Sequence, residues 1–226
     1  CYYAAGLQPR TAEGNPYGEG YYDDFNTAVG LDSAGHTQLH HKGKLVIGVE
    51  NTPTVIFDLM QFLVIDLGGV VGQIGMGQHG TAFGHAGMRM GPAICYEGLY
   101  GDFYGDFVRR GAQFMAIISN DGWWGDTPGY KHLFTISRLR AIEHRRAIAR
   151  SANTGMSGFI SARGDIGETL GWEKRGVISA AVPLNSELTF YTRYGDYLGR
   201  ISEYLTLLCV LYYIAYRVKR KNYLVK

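Results

Sequence analysis

Apolar and polar positions along the chain sort it into short strands and a few helices. Phe25–Leu31 alternates as a strand, Asp32-Ser33-Ala34-Gly35 reads as a turn, and His36–His41 as a returning strand, which predicts a hairpin. Pro92, Ala93 and Ile94 make a short buried strand that runs into Cys95. After Gly98, the spacing of Phe103, Phe107 and Val108 predicts a helix ending at Gly111. Gln113–Asn120 is an apolar, β-branched run of the kind found in strands buried on both faces, and it ends in the loop Asp121-Gly122-Trp123-Trp124-Gly125-Asp126. Leu133, Ile136, Leu139, Arg140 and Ala141 carry a helical period from about Gly129 to His144. Ala147–Ser151 is a further strand, Asn153-Thr154-Gly155 a turn, and Ser157–Ala162 and Gly176–Pro183 are the expected closing strands. Alternation of strand and helix through residues 90–185 predicts an α/β fold with a layered sheet.

The ends and the Gly-rich parts are less regular. Residues 1–24 lack a period and read as a frayed strand and a long loop. Residues 51–68 hold Pro53 and an uneven apolar cluster around Ile56, Phe57, Leu59 and Phe62, which reads as packed loop, with a lipid-facing arm as the other reading. Residues 69–91 suit a hairpin of short strands. Gly75, Gly77 and Gly80 spell GxGxxG, but no helical period follows, so no nucleotide loop is expected there.

The last apolar stretch differs in kind. Ile201–Tyr216 is almost wholly apolar, with Glu203 its only charge, and spans about 24 Å as a helix. Extension to Tyr197–Val218 reaches roughly 33 Å, enough to cross a bilayer, with tyrosines near both ends. The alternative is an amphipathic helix packed on the domain or lying on the membrane surface, although no polar stripe runs along it.

Composition changes the picture in three respects. The chain has 226 residues, 46% of them hydrophobic, which is enough for one sizeable core and an appendage. Its net charge of +2 gives no nucleic-acid signature, yet Arg217, Lys219, Arg220, Lys221 and Lys226 crowd the C-terminal tail. A basic tail behind an apolar helix places that tail in the cytoplasm and the preceding domain on the other side. The three cysteines, Cys1, Cys95 and Cys209, form neither a disulfide framework nor a zinc pattern, and neither metal nor cofactor is expected. CYYAAGLQPR has no basic and apolar regions of a signal peptide and begins abruptly, as though a longer protein had been cut.

Chemistry concentrates at Cys95. A cysteine at a strand-to-helix turn sits near a helix N-terminus, whose partial positive charge stabilises a thiolate. Such a thiolate can attack a carbonyl and hold the acyl group as a thioester. The same window fits a small apolar residue closing a core strand.

Four segments, HKGKLVIGVE, ICYEGLYGDF, ISNDGWWGD and RAIEHRRAIARSANTG, occur in an order that resembles the apolipoprotein N-acyltransferases, integral-membrane members of the nitrilase superfamily. The resemblance covers about residues 25–218. It implies a nitrilase-like α-β-β-α sandwich, here partial, over residues 1–196, followed by a transmembrane helix and cytoplasmic tail over residues 197–226. It implies Cys95 as nucleophile, Lys42 as the cation for the oxyanion with Lys44 as competitor, and Glu50 as the carboxylate that orients the site. Tyr96 and Glu97 match the residues after the nucleophile, and Asn120 and Trp123 a loop beside the substrate pocket. Glu143 and Asn153 match motif positions with an expected structural role.

The implied reaction moves a fatty acyl chain from a phospholipid, through a Cys thioester, to the N-terminal amine of a diacylated lipoprotein. It takes place at the bacterial inner membrane with the catalytic domain on the periplasmic side. Two other readings stay open: a tail-anchored nitrilase-fold amidohydrolase, and an inactive membrane-anchored fragment. Members of the family carry a general-base Glu in a Pro-Glu motif and several membrane helices before the catalytic domain. Neither is found here, so the chain is expected to be the C-terminal part of such an enzyme.

Overall fold

The computed structural model describes residues 2–6, 23–32, 34–46, 50 and 74–224. Among these residues, nine strands form two sheets. β1 (Tyr2–Gly6), β2 (Asp23–Leu31) and β3 (Thr37–His41) make an antiparallel sheet in chain order. The expected hairpin is β2–β3, with Thr27 opposite His41 and Leu31 opposite Thr37. It closes one residue later than predicted, because the Asp32 carboxylate accepts from the backbone N–H of Ala34 and of His36 and so keeps His36 in the turn.

The second sheet runs β4 (Phe83–His85), β5 (Met88–Ile94), β6 (Phe114–Ser119), β7 (Ile148–Ala152), β8 (Ser157–Ile160) and β9 (Ile166–Leu170), neighbours in that order. It is mixed: β5, β6 and β7 are parallel, and the β4–β5, β7–β8 and β8–β9 pairs antiparallel. The two sheets meet where Gly30 of β2 lies under the Phe83 ring of β4, so close that a Cβ there would come 2.7 Å from a ring carbon. Gln38 of β3 fixes the same contact by bonding both the N–H (2.8 Å) and the C=O (3.0 Å) of Gly84.

Two helices cover the larger sheet. α1 (Gly101–Arg109) buries Tyr104, Phe107 and Val108 and turns Asp102, Asp106 and Arg109 outward; the chain leaves it through Gly111 at φ +99°. α2 (Pro128–His144) starts one residue before the predicted helix, because Thr127 caps it and Pro128 takes the first-turn position where no N–H partner is needed. Tyr130, Leu133, Phe134, Ser137, Ala141 and His144 recur at helical spacing on its buried side. Ala93, Met115, Ile117, Ile148 and Ile160 of the sheet pack with Tyr104, Phe107 and Phe134 as the core. The mixed sheet, its helical cover and the second sheet are the parts of the expected sandwich that the described residues hold.

The expected closing strand at Gly176–Pro183 is not a strand. Among the described residues the stretch between β9 and α3 has no ladder partner, and Val177 is 94% exposed. β9 takes the edge instead, because a tight turn brings it back beside β8: the Ser161 N–H bonds the Asp165 C=O at 2.9 Å and the two side chains pair at 2.9 Å. A local hairpin forms at lower loop-closure cost than pairing with a segment a dozen residues further on. A short helix α3 (Phe190–Tyr194) then leads to α4 (Tyr197–Leu224), which runs past the predicted end at Val218. Every side chain from Ile201 to Arg217 is exposed. The apolar cluster at 51–68, the loop before β2 and the start of the 69–91 stretch lie outside the described residues.

Candidate active site

β5 ends at Ile94 in extended backbone, and the next residue, Cys95, adopts φ +46° at the start of a 3₁₀ turn over Cys95–Leu99. A non-glycine residue held in the left-handed region is strained and persists only where its surroundings fix it. Here the fixing group is Glu97. Its fully buried carboxylate accepts the Ile94 N–H and the Gly43 N–H, each at 2.6 Å, and lies 3.1 Å through both oxygens from His40 Nε2. One side chain therefore ties the turn that presents Cys95 to the segment that follows β3. Cys95 itself is half-buried and forms no disulfide.

That second segment carries Lys42, 1% exposed, whose ammonium donates to Glu50 Oε1 at 2.8 Å and Oε2 at 2.7 Å. Glu50 also accepts from Asn26 Nδ2 at 2.9 Å and from the Val46 N–H at 2.8 Å. A buried ion pair is costly unless its remaining hydrogen-bonding capacity is filled, and these donors fill it. The Lys42 backbone is held from both sides: its N–H bonds the Asn26 C=O at 2.8 Å, and its C=O takes the Gly77 N–H at 2.9 Å. The glycines of GMGQHG serve this close packing. Gly75 lies against Phe25, Gly77 against the His41 carbonyl and Gly80 against Phe107, and a strand, not a helix, follows them. Lys44 is placed differently. Its ammonium sits 5.3 Å from the Tyr100 ring centre and 5.4 Å from that of Phe103.

Tyr96 packs edge-on to Tyr100 at 5.5 Å, and burial together with the Tyr96 hydroxyl pushes the Tyr100 phenol up. Asn120 and Trp123 occupy the loop after β6, at the same strand ends as Cys95, since Ile94 and Ile118 are register partners. Ligands of open α/β sheets bind at such ends. Trp123 is 52% exposed, and Asn120 Oδ1 accepts from Asn153 Nδ2 at 2.7 Å.

The loop is anchored by a pair that the sequence reading missed. Buried Asp121 accepts Arg150 Nη2 at 2.9 and 2.8 Å, and its N–H bonds Asn153 Oδ1 at 3.1 Å. Gly155 leaves room for that carboxylate, because a Cβ there would collide with it. His40 was missed as well. Glu143 pairs with Arg140 at 3.0 Å, and Asn153 bonds the loop. Among the described residues no three His, Cys, Asp or Glu side chains gather as a metal-binding group.

A half-buried thiol on a strained turn and a buried lysine in a saturated ion pair, joined by one carboxylate, make an arrangement suited to nucleophilic attack on a carbonyl. The carbon–nitrogen hydrolase family model matches residues 1–188. The chain is 36% identical over 181 residues to the apolipoprotein N-acyltransferase of Chlorobaculum tepidum, covering 77% of this chain and 34% of that one. It is 42% identical over 97 residues to that of Rhizobium meliloti (43% and 18%), and 33% identical over 186 residues to that of Verminephrobacter eiseniae (80% and 34%). The match thus spans about a third or less of the length of these relatives.

Among solved structures, Saccharomyces cerevisiae Nit3, a member of the nitrilase superfamily, superimposes with TM-score 0.50 at 18% identity over 68% of this chain and 51% of its own. An amidase from Nesterenkonia sp. AN1, with acrylamide added at its active-site cysteine, does so with TM-score 0.50 at 14% identity over 80% and 63%. At these identities the likeness concerns the fold alone. The chain belongs to the carbon–nitrogen hydrolase family of the nitrilase superfamily, and within it is similar to apolipoprotein N-acyltransferases.

Proposed function

We propose that this chain carries the nucleophile of an N-acyltransferase that acylates lipoproteins at the inner membrane. The Cys95 sulfur attacks the ester carbonyl of a phospholipid; the S–C bond forms, the C–O bond breaks, and the lysophospholipid leaves as an alcohol with the thiol proton. The N-terminal amine of a diacylglyceryl-cysteine then attacks the thioester. An amide forms, the sulfur leaves, and the amine proton returns to it. Lys42 stabilises the oxyanion in both steps, with backbone N–H groups at the start of the 3₁₀ turn. Glu50 aims Lys42, and Glu97 sets the turn against the lysine loop. Both carboxylates carry full sets of donors, so neither relays the thiol proton on its way to the leaving alcohol. Asn120 and Trp123 border the substrate. Residues 1–196 form the periplasmic catalytic part and residues 197–226 the membrane anchor and cytoplasmic tail.

The observation that carries this reading is the joining of Cys95 and the Lys42–Glu50 pair through Glu97. Its test is incubation with phospholipid bearing a labelled acyl chain, followed by mass spectrometry. A hydroxylamine-labile acyl group on Cys95, passed on to a diacylated lipopeptide, is expected. Labelling that survives Cys95→Ala, or release of free fatty acid in place of transfer, would overturn it.

A further inference from the structure

His40 stands two residues before Lys42 and, like it, is 1% exposed. Its Nε2 lies 3.1 Å from each oxygen of Glu97, while its Nδ1 is buried without a hydrogen-bond partner among the described residues. The ring packs edge-on against Phe107, with centres 4.8 Å apart. An apolar side chain of the same size would fill this space without leaving a buried ring nitrogen unpaired, which carries a desolvation cost. What the histidine adds is the donor to Glu97.

That donor has a defined effect. The two backbone donors to Glu97 come from Ile94, the residue before Cys95, and from Gly43, the residue after Lys42. The plane of the carboxylate therefore sets how the cysteine turn faces the lysine segment. Two N–H bonds alone leave the carboxylate free to tilt about its last torsion. A third donor equidistant from both oxygens removes that freedom, and it comes from the strand that leads into Lys42. We infer that His40 is a positioning residue of the acyl transfer, acting through Glu97 to hold the Lys42 ammonium in register with the Cys95 sulfur. The inference rests on the acyltransferase reading for its reaction, but not for its geometry.

The test compares three variants of the full chain in detergent. His40→Phe fills the space without a donor, His40→Gln restores an N–H donor, and His36→Ala alters an exposed turn residue as control. Two rates are read: kcat and KM for acyl transfer, and alkylation of Cys95 by iodoacetamide, followed by mass spectrometry, which needs no lipid. Misplacement of a catalytic group by about 1 Å typically costs about 10²-fold, so His40→Phe should lower both kcat and Cys95 alkylation by about 10- to 100-fold with KM unchanged. His40→Gln should recover most of both, and His36→Ala should match the wild type.

Tryptophan fluorescence checks folding. If His40→Phe does not fold, His40→Asn, too short to reach Glu97, takes its place with the same expectation. Wild-type rates in the donorless variant, equal losses in His40→Gln and His40→Phe, or a loss confined to KM would each overturn the inference. Failure of the acyltransferase reading is seen separately, as a wild-type chain whose Cys95 is alkylated but never acylated by phospholipid.

Discussion

At the scale of single residues, two lysines two positions apart differ in everything around them. Lys42 is buried against Glu50, whereas Lys44 rests over the Tyr100 and Phe103 rings. Loss of one oxyanion-stabilising group typically costs about 10²–10³ in rate. Lys42→Met should therefore lower thioester formation by about that factor in folded protein, while Lys44→Met stays within a few-fold. The reverse ranking in a single-turnover acylation assay would mean that Lys44 is the reacting cation. The family resemblance pointed to Lys42 from its spacing to Glu50. It did not show that Glu97 is a clamp, since two of the residues it binds, Gly43 and His40, lie 54 and 57 positions away, just after and near the end of β3.

At the scale of elements, the loop after β6 depends on one buried pair. Removing one partner of such a pair leaves an uncompensated charge and typically costs about 3–5 kcal/mol. Arg150→Leu should lower stability by about that amount and loosen the Trp123 loop. Urea unfolding measures the first and tryptophan quenching the second; a loss below about 1 kcal/mol would show that Asp121 finds other donors.

The C-terminal end of α2 makes a pH-dependent contribution. Burial, assisted by the nearby Arg140, lowers His144 from 6.5 to about 3. Its ring packs against Tyr104, and its Nδ1 lies 2.9 Å from Thr192 Oγ1 in α3. Between those two values the unfolded chain binds a proton that the folded chain does not. The contribution is thus complete above about pH 6.5 and is lost as pH falls toward about 3. The unfolding midpoint should fall with acidification in that window, and less steeply in His144→Asn. Parallel profiles for the two proteins would contradict this.

At the scale of the molecule, nothing among the described residues buries α4. Tyr197–Arg217 is long and apolar enough to cross a membrane, and none of its most apolar window is buried. Its root is held by polar contacts: Arg109 Nη1 donates to the Thr192 C=O at 3.0 Å, and the Asp196 N–H to Asp102 Oδ1 at 3.1 Å. An exposed apolar surface of this length is stable when lipid covers it. We expect carbonate washing to leave the chain in the membrane. A cysteine placed at Lys226 should be shielded from an impermeant reagent in intact cells and reached after lysis. Labelling in intact cells would reverse the orientation, and release by carbonate would remove the span.

Periodicity in the sequence was enough to determine the β2–β3 hairpin, the strands around Cys95 and Gln113–Asn120, the helix up to His144 and the long apolar helix. Each is a local pattern that stays buried on one face or apolar throughout, so few alternatives compete. The four motifs in order determined the family and named Cys95, Lys42 and Glu50. Tertiary structure alone decided the rest. β9 displaced the expected strand at Gly176–Pro183 because strand pairing is settled by which partner a turn brings close. Glu97, Asp121 and Arg150 stand inside the motifs, but neither they nor His40 carry a local signal of what they bind, because a charged residue reads as surface until the fold removes its water. Only when sheets and helices are assembled do their partners meet, and the desolvation cost of burying each charge then selects the carboxylate, imidazole or guanidinium that offsets it.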